Sequence, residues 1–432
     1  MKHHAIRLDL LTAAVDRLPD NGLRAFRANA LEQFVKAGLP NTSQEDWRYT
    51  NLEPAIRLSN EWLVSRNGNY DSTLKPIQKL PALPIETAIE ANWLRFVNGR
   101  PAEHIRIDGD RTGVSVDTIT SESCAAQLFA GDGLANLNAS LLQDAISVRV
   151  PSGLAVRTPI GLLLASDATN GDKVSATRIV IELESNASMD VIESHLSLSA
   201  LDAFANVVIE VRLAKGATLN YLRIQECGDA QILAGKLIAS LDADSTLNYT
   251  SLDLGAALAR NDVVADILAP GVEITATGLY LAGGAQHIDN HLRVDHRVGP
   301  ARSQAEFRGI LNGRARCVFN SKAIVHKGAD GTDARQSNHN LLLSDKSEID
   351  TKPELEIYAD DVKCAHGATV GQLDKSALFY LKSRGIDEDT ASQMLTRAFA
   401  ASVLDKLPVA VAADYVTARV DRRLDSLIDV MK

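Results

Sequence analysis

The 432-residue sequence contains few cysteines and few aromatic residues. Its cysteines are widely separated, with no C-x-x-C pair: Cys124, Cys227, Cys317 and Cys364. A disulfide framework would require a denser pattern, so we expect a reduced protein of the cytoplasm. The same separation excludes a local four-cysteine zinc or iron–sulfur site. Because aromatic residues make up only 5% of the chain, Ala, Val, Leu and Ile must fill most of the core.

The sequence also lacks an excess of basic charge and a long apolar run. Lys and Arg total 45 against 55 Asp and Glu, a formal net charge of -10, so a nucleic-acid-binding surface is not expected. The best apolar run, Pro159 to Ala165, is far shorter than the roughly 18 residues that a membrane span requires. Asp9 and Asp16 interrupt the apolar stretch near the amino terminus, which argues against a secretory signal. We therefore predict a cytoplasmic protein without nucleic-acid or membrane partners.

Common catalytic motifs are missing as well. No G-x-x-x-x-G-K-[ST] loop occurs, so the chain is not expected to hydrolyse ATP. Neither G-x-S-x-G nor H-E-x-x-H is present. The adjacent carboxylates Asp360 and Asp361 suggest acid–base chemistry of the kind used by solenoid glycosidases, but neighbouring residues of a strand face opposite ways, which favours a turn or cap role. A stand-alone β-solenoid carbohydrate-active enzyme that uses carboxylates is the alternative function.

The spacing of apolar residues divides the chain into three regions. Residues 1–90 show helical spacing and end in a linker-like stretch rich in Pro and Gly at 67–84. Residues 91–373 alternate short apolar runs with turn residues, which predicts strands. Helical spacing returns over residues 374–432, where Asp387 suits a helix cap and Pro408 a first helical position. The apolar stripes of this last region suit either packing on the end of the strand region or docking of a partner.

One local motif recurs within the strand region: a small residue followed by apolar residues two and four positions later. Its copies are Ala187/Met189/Val191, Ala217/Leu219/Tyr221, Ser245/Leu247/Tyr249, Val272/Ile274/Ala276, Ala315/Cys317/Phe319 and Ser347/Ile349/Thr351. Successive copies begin 30, 28, 27, 43 and 32 residues apart. A repeat of this length built from short strands predicts a β-solenoid, whose turns stack around one shared core. A β-sandwich is the competing fold, because hairpins also give regular short strands.

Three histidines cluster in the segment QHIDNHLRVDH, residues 286–296. On a strand, His287 and His291 share one face and His296 lies on the other. This arrangement favours hydrogen-bonding side chains over a metal site made from this segment alone.

The segment VKCAHG, residues 362–367, contains better candidates for metal ligands. In an extended strand Cys364 and His366 point to the same side, which pairs a thiolate with an imidazole. Two ligands hold iron or copper only weakly, so a partner would have to complete the site. The alternative is that Val362, Cys364, His366 and Ala368 form one buried row.

Four segments together carry a family resemblance. They are DTKPELEIYADDVKCAHGATVG at 350–371, Phe379-Tyr380-Leu381-x-x-Arg384-Gly385-Ile386, Gln286-His287-x-Asp289-Asn290-His291 and Trp47-Arg48-Tyr49-Thr50. With these segments the chain resembles the SufB/SufD superfamily of the SUF iron–sulfur cluster assembly machinery, most strongly over residues 280–405. SufB carries a cysteine ahead of the Leu-Leu run and an acidic residue after the histidine. This sequence has Asn338 and Gly367 there, so it resembles the SufD branch.

The resemblance implies a right-handed parallel β-helix core flanked by amino- and carboxy-terminal α-helical domains. It also implies a non-catalytic scaffold subunit of a SufBCD complex, which assists cluster assembly and iron acquisition with SufB and the ATPase SufC. No cofactor would be bound stably by the chain alone, since a transient iron or iron–sulfur cluster would be shared with SufB. A homodimer of the isolated chain is left open.

The resemblance also implies site residues. His366 would bind iron or the nascent cluster near the SufB–SufD interface, with Cys364 as a second candidate ligand. The carboxy-terminal helical region would bind SufC, and the candidate contacts are Met394, Leu395, Phe399 and Val403. The roles of His287, His291 and His296 are left open.

Overall fold

The computed structural model describes residues 5–65, 81–102, 113–119 and 131–429. Most of the linker predicted at 67–84, and Cys124, lie outside the described residues. The helices are α1 (Leu8–Asp16), α2 (Arg24–Ala37), α3 (Glu53–Ser65), α4 (Pro84–Ala88), α5 (Gly133–Leu141), α6 (Lys375–Ser383), α7 (Glu388–Leu404) and α8 (Ala413–Asp429), with short 3₁₀ turns at Glu45–Trp47 and Ala410–Ala412.

The strands make up most of the described chain. They are β1 (Asn92–Val97), β2 (Arg100–Pro101), β3 (Ser115–Thr118), β4 (Ala145–Val150), β5 (Ile160–Ser166), β6 (Val174–Leu183), β7 (Ser188–Ser197), β8 (Ala203–Leu213), β9 (Thr218–Glu226), β10 (Gln231–Leu241), β11 (Thr246–Asp253), β12 (Leu258–Ile267), β13 (Glu273–Ala282), β14 (His287–His296), β15 (Arg302–Leu311), β16 (Arg316–Val325), β17 (Asp333–Leu342), β18 (Glu348–Ile357) and β19 (Lys363–Gly371).

These strands form a parallel β-solenoid. Odd-numbered strands from β5 to β19 join β1 and β2 in a ten-stranded sheet, called sheet A here, and β3 joins the even-numbered strands in a nine-stranded sheet B. The only antiparallel pairs within the described residues are β1–β2 and β3–β4, at the amino-terminal end. The solenoid prediction is therefore confirmed, and the β-sandwich alternative is wrong, because alternate strands pair in parallel across successive turns.

The recurring motif lies in register on neighbouring turns. Its first four copies fall on β7, β9, β11 and β13 of sheet A, where Val191 pairs with Tyr221 and Tyr221 with Tyr249. The last two copies fall on β16 and β18 of sheet B, where Phe319 pairs with Thr351. The long step of 43 residues thus marks a change of sheet. Sequence alternation cannot reveal this change, because both sheets turn one face to the same core.

Helices cover the outer face of each sheet. Helices α1, α3 and α5 bury Leu11, Trp62 and Leu137 in one cluster with the outward-facing Phe204 of sheet B. The carboxy-terminal helices bury side chains against the outer face of sheet A, where Leu222, Leu252 and Leu279 meet Val416, Val420 and Leu424. The carboxy-terminal stripes therefore pack along a sheet and not on the end of the solenoid, since the outward positions of sheet A are themselves apolar. The three-region division at residues 90 and 373 stays a prediction.

Within the described ranges, no helix combines the length and the apolar character that crossing a membrane requires.

Candidate functional site

The carboxy-terminal end of the solenoid has two long strands whose outer edges lack a neighbouring strand in the described chain. β18 pairs only with β16, and β19 pairs only with β17. Every residue of β18 is half-buried or exposed, and β19 has eight exposed residues and one half-buried residue. We call this region, Glu348–Ile357 with Lys363–Gly371, the open end.

His366 and Cys364 occupy core positions of this last turn. His366 pairs in register with the buried Gln336, and Cys364 pairs with the buried Ala334. Their side chains therefore point along the same inward face that earlier turns bury. Because no described turn follows β19, His366 is exposed and Cys364 half-buried. The alternative of one buried row does not hold, since the row lies at an end of the core that is uncovered in the chain alone.

The two side chains offer ligands without completing a site. A neutral imidazole binds iron through a ring nitrogen, and protons compete for that nitrogen at low pH. Partial burial raises the pKa of the Cys364 thiol, so the thiol is protonated at neutral pH and would release its proton on binding a metal. In the part of the chain that the structure describes, no three His, Cys, Asp or Glu side chains form a metal-holding group. A metal bound at these two side chains would therefore need additional ligands from elsewhere.

Two positions suggested the SufD branch in the sequence: Asn338, on the strand next to the open end, and Gly367, within the open end. Asn338 is fully buried on β17 and pairs in register with Ala368. Its side chain bonds to other polar groups and is not free to act as a ligand. Gly367 is exposed, and a Cβ built on it would meet no atom within 4 Å.

Asp360 and Asp361 lie in the turn between β18 and β19, where the Asp361 carbonyl accepts a hydrogen bond from the Gly331 N–H at 2.7 Å. The Asp360 N–H donates to the Asp330 carboxylate at 3.3 Å. This is the turn role that sequence reasoning favoured, and it offers no pair of carboxylates across a cleft for the carbohydrate-active alternative.

The histidines of β14 are divided as the strand alternation predicts. His287 and His291 lie on the outer face of sheet B, and His296 points into the core, where it is 0% exposed and hydrogen-bonds Ser303 at 2.8 Å. Burial lowers the pKa of His296 to about 4. Asp295 raises this pKa and His326 lowers it, both by smaller amounts, so the ring is neutral at physiological pH. Burial also lowers the pKa of His287.

Two distant motifs meet on the outer face of sheet B. The Thr50 hydroxyl donates to Asp289 at 2.6 Å and lies 2.8 Å from the His287 Nε2. Arg260 donates to the same Asp289 carboxylate at 2.6 Å, and its guanidinium lies 3.7 Å from the centre of the Trp47 ring. These contacts fasten the amino-terminal region to the solenoid. Both motifs carry the family resemblance, but the sequence did not predict that they contact each other, directly through Thr50 and indirectly through Arg260.

The predicted SufC contacts separate into exposed and buried residues. Met394 is 47% exposed, and Leu395 and Phe399 are half-buried, with the Arg308 guanidinium 4.9 Å from the Phe399 ring centre. Val403 is 0% exposed, so we assign it to packing and not to a partner surface.

Helix α6 lies within the region predicted to bind SufC, but none of its residues was among the four candidate contacts. None of its residues is buried. Phe379 is 74% exposed and Tyr380 58% exposed, although both belong to the segment quoted for the family resemblance. Large exposed apolar side chains of this kind mark interaction surfaces. We refer to Phe379, Tyr380 and the exposed Met394 of α7 as the exposed apolar surface of the carboxy-terminal helices.

Comparisons with known proteins match the chain to a family of iron–sulfur cluster assembly proteins. The family model described as SUF system FeS cluster assembly, SufBD core domain, matches residues 165–399. The iron-sulfur cluster assembly protein SufD of Escherichia coli is 30% identical over 396 residues, which cover 91% of each chain. An iron-sulfur cluster assembly SufBD family protein of Synechocystis is 33% identical over 422 residues, covering 92% of this chain and 90% of that protein. SufD of Bacillus subtilis is 23% identical over 423 residues, 93% of this chain and 94% of that protein.

Proposed function

The chain belongs to the SufBD family of SUF-system iron–sulfur cluster assembly proteins and is SufD-like, and from this premise we propose that it is a non-catalytic, cytoplasmic scaffold subunit. It pairs with SufB through the open end, and the ATPase SufC binds the carboxy-terminal helices. Iron and the nascent cluster are cargo at the shared interface, acquired and passed on, and not a resident cofactor of this chain.

The observation that carries the proposal is the open end itself. Its inward side chains are mainly apolar, with His366 among them: Ile349, Thr351 and Leu355 on β18, and His366, Ala368 and Val370 on β19. Val370 is 49% exposed. A surface that is built like a core but exposed suits burial against a second protein.

The unpaired edges suggest what kind of protein that partner is. Exposed backbone N–H and C=O groups of two long edge strands are ready to pair with strands of another chain. A partner with its own open solenoid end would extend both sheets and cover the apolar side chains in one step. SufB, a member of the same superfamily, is expected to have this architecture.

His366 then lies between the two chains. Ligand groups of SufB complete the coordination that His366, with Cys364 as a second candidate, begins. The incomplete donor set of this chain supports the sharing of cargo, because a stable site would need more ligands than these two.

SufC is assigned to the exposed apolar surface of α6 and α7. Phe379, Tyr380 and Met394 lie there, whereas the other face of α7 buries Ala400 and Val403 against sheet A. Movement of SufC on ATP hydrolysis would thus act on helices attached to the same sheet that contains β19.

The ligand role is tested with His366→Ala in the complex with SufB and SufC. His339→Ala is the matched control, since His339 is half-buried on the outward face of the neighbouring β17. We expect both variants to fold and to assemble, because neither imidazole is fully buried in the chain alone. Cluster reconstitution, followed by its visible absorption, should fall at least about tenfold for His366→Ala alone, as loss of groups around a metal commonly does. Normal reconstitution by an assembled His366→Ala complex would reject the ligand role.

A further inference from the structure

Three buried polar side chains form a closed ring of hydrogen bonds beneath the open end. Tyr280 and Asn338 are 0% exposed, and Asn340 is 3% exposed. The Asn338 Nδ2 donates to the Tyr280 Oη at 2.9 Å, the Tyr280 Oη donates to the Asn340 Oδ1, and the Asn340 Nδ2 donates to the Asn338 Oδ1 at 2.6 Å. Each side chain both donates and accepts, so the ring satisfies its own polar groups within the core.

A glycine makes this ring possible. Tyr280, Gly309 and Asn340 occupy the same position on three successive strands of sheet A, β13, β15 and β17. A Cβ on Gly309 would lie 2.1 Å from the Tyr280 ring and 2.5 Å from the Asn340 Oδ1. Without a side chain at Gly309, the phenol ring can reach past one turn to the next.

The ring also holds both strands of the last turn. The Thr351 hydroxyl of β18 donates to the Asn338 Oδ1 at 2.8 Å. The Asn340 Nδ2 donates to the backbone carbonyl of Thr369 on β19 at 3.3 Å. The edge strands of the open end are therefore anchored from inside, although each has a neighbouring strand on one side only.

We propose that Tyr280, Asn338 and Asn340 are positioning residues, which hold β18 and β19 in the arrangement that the SufB-type partner binds. The inference rests on the end-to-end pairing proposed above. Strands with one free edge open locally more readily than strands inside a sheet, and ordering them during docking would weaken binding. A buried ring whose hydrogen bonds are satisfied in a single arrangement orders the strands before docking. It therefore removes much of the loss of binding affinity.

The test compares Tyr280→Phe with Tyr249→Phe. Tyr249 is an equally buried inward tyrosine whose hydroxyl bonds Asn261, and it has no hydrogen bond to the last turn among the described contacts. Both variants lose one buried hydroxyl, so their global stabilities should fall by similar amounts. In the isolated chain, only Tyr280→Phe should speed amide hydrogen exchange over residues 348–371, by about tenfold, which corresponds to one net hydrogen bond. Only this variant should weaken binding of purified SufB, by a similar factor.

Thr351→Val provides a second variant that removes the link to β18 and leaves the ring intact. Faster exchange in β18 for Thr351→Val, with β19 less affected, would support the proposal even if Tyr280→Phe folded poorly. Equal exchange profiles for Tyr280→Phe and Tyr249→Phe would overturn it. Faster exchange with unchanged SufB affinity would overturn the docking role. If the wild-type chain bound no SufB, the proposed pairing would fail, while the exchange comparison would still decide whether the ring anchors the last turn.

Discussion

The inward side chains are mostly buried at one end of the solenoid and half-buried or exposed at the other. At the amino-terminal end the inward side chains Leu94 and Phe96 of β1 are 3% and 2% exposed. The edge strands there, β2 and β3, are only two and four residues long. At the carboxy-terminal end the edge strands β18 and β19 are ten and nine residues long, and the inward Val370 is 49% exposed.

The difference concerns how far each end of the core is covered by the described chain itself. Short edge strands are a common means of preventing pairing with other chains, and long exposed edges invite pairing. The short strands at the amino-terminal end therefore disfavour pairing with another chain. We expect a partner to cover the carboxy-terminal end, where His366 is one of the exposed inward residues.

The difference between the two ends is tested most strongly by introducing an aspartate at an inward position of each. Leu94→Asp should lower the free energy of unfolding by more than about 4 kcal/mol, because an unpaired carboxylate would be buried. Val370→Asp should change it by less than about 0.5 kcal/mol, because this position is open to solvent. Chemical denaturation measures both values.

The second half of this prediction concerns binding. Val370→Asp should abolish SufB pairing in gel filtration, whereas Ala365→Asp, on the outward face of the same strand, should retain it. Equal destabilisation by Leu94→Asp and Val370→Asp would mean that the two ends do not differ as described.

A similar contrast exists within the carboxy-terminal helices. Leu424 is 1% exposed against sheet A, and Met394 is 47% exposed. Leu424→Ala should cost about 3–4 kcal/mol of stability through the cavity that it leaves, whereas Met394→Ala should cost less than about 0.5 kcal/mol. Only Met394→Ala should weaken SufC binding without loss of stability. The opposite pattern, a stable Leu424→Ala variant, would show that α8 does not pack as the structure has it.

The inward histidine of a covered turn supplies a pH test. The folded-state pKa of His296 is about 4, because of burial, while an unfolded histidine titrates near its ordinary value of 6.5. As the pH falls, His296 is therefore protonated in the unfolded chain before it is protonated in the folded chain. The neutral, buried His296 contributes to folding stability above about pH 6.5, and this contribution, up to about 3 kcal/mol in total, is lost as the pH falls towards 4.

His296→Gln removes the titrating group and keeps a side chain that can hydrogen-bond Ser303. Stability curves of this variant and of the wild type between pH 7 and 4 should differ in slope, with the wild type losing more stability. Parallel curves would show that His296 does not titrate between these states.

The sequence correctly predicted which side chains lie on the same face of a strand. It was less successful in predicting whether another part of the chain covers that face. Strand alternation correctly separated His287 and His291 from His296, and the repeat correctly aligned Val191 with Tyr221. Period-2 alternation is a local property of the backbone, so it can be identified without knowing the fold.

Coverage depends on residues far away in the chain. His366 and Gln336 share one inward column, yet one is exposed and the other buried, because only Gln336 has a following turn. The burial of Val403 against sheet A and the hydrogen-bonded ring around Tyr280 likewise depend on long-range pairing. The sequence pattern contains no local signal for these contacts, which is why the buried Val403 was predicted as a partner contact together with the exposed Met394.

The most direct measurement for the open end is amide hydrogen exchange of the wild-type chain, alone and with SufB. If the two solenoids pair end to end, new hydrogen bonds should form along the outer edges of β18 and β19. Exchange over residues 348–371 should then slow by at least about tenfold, while the amino-terminal edge strands should be unaffected. A stable complex in which residues 348–371 exchange as fast as in the free chain would contradict the account.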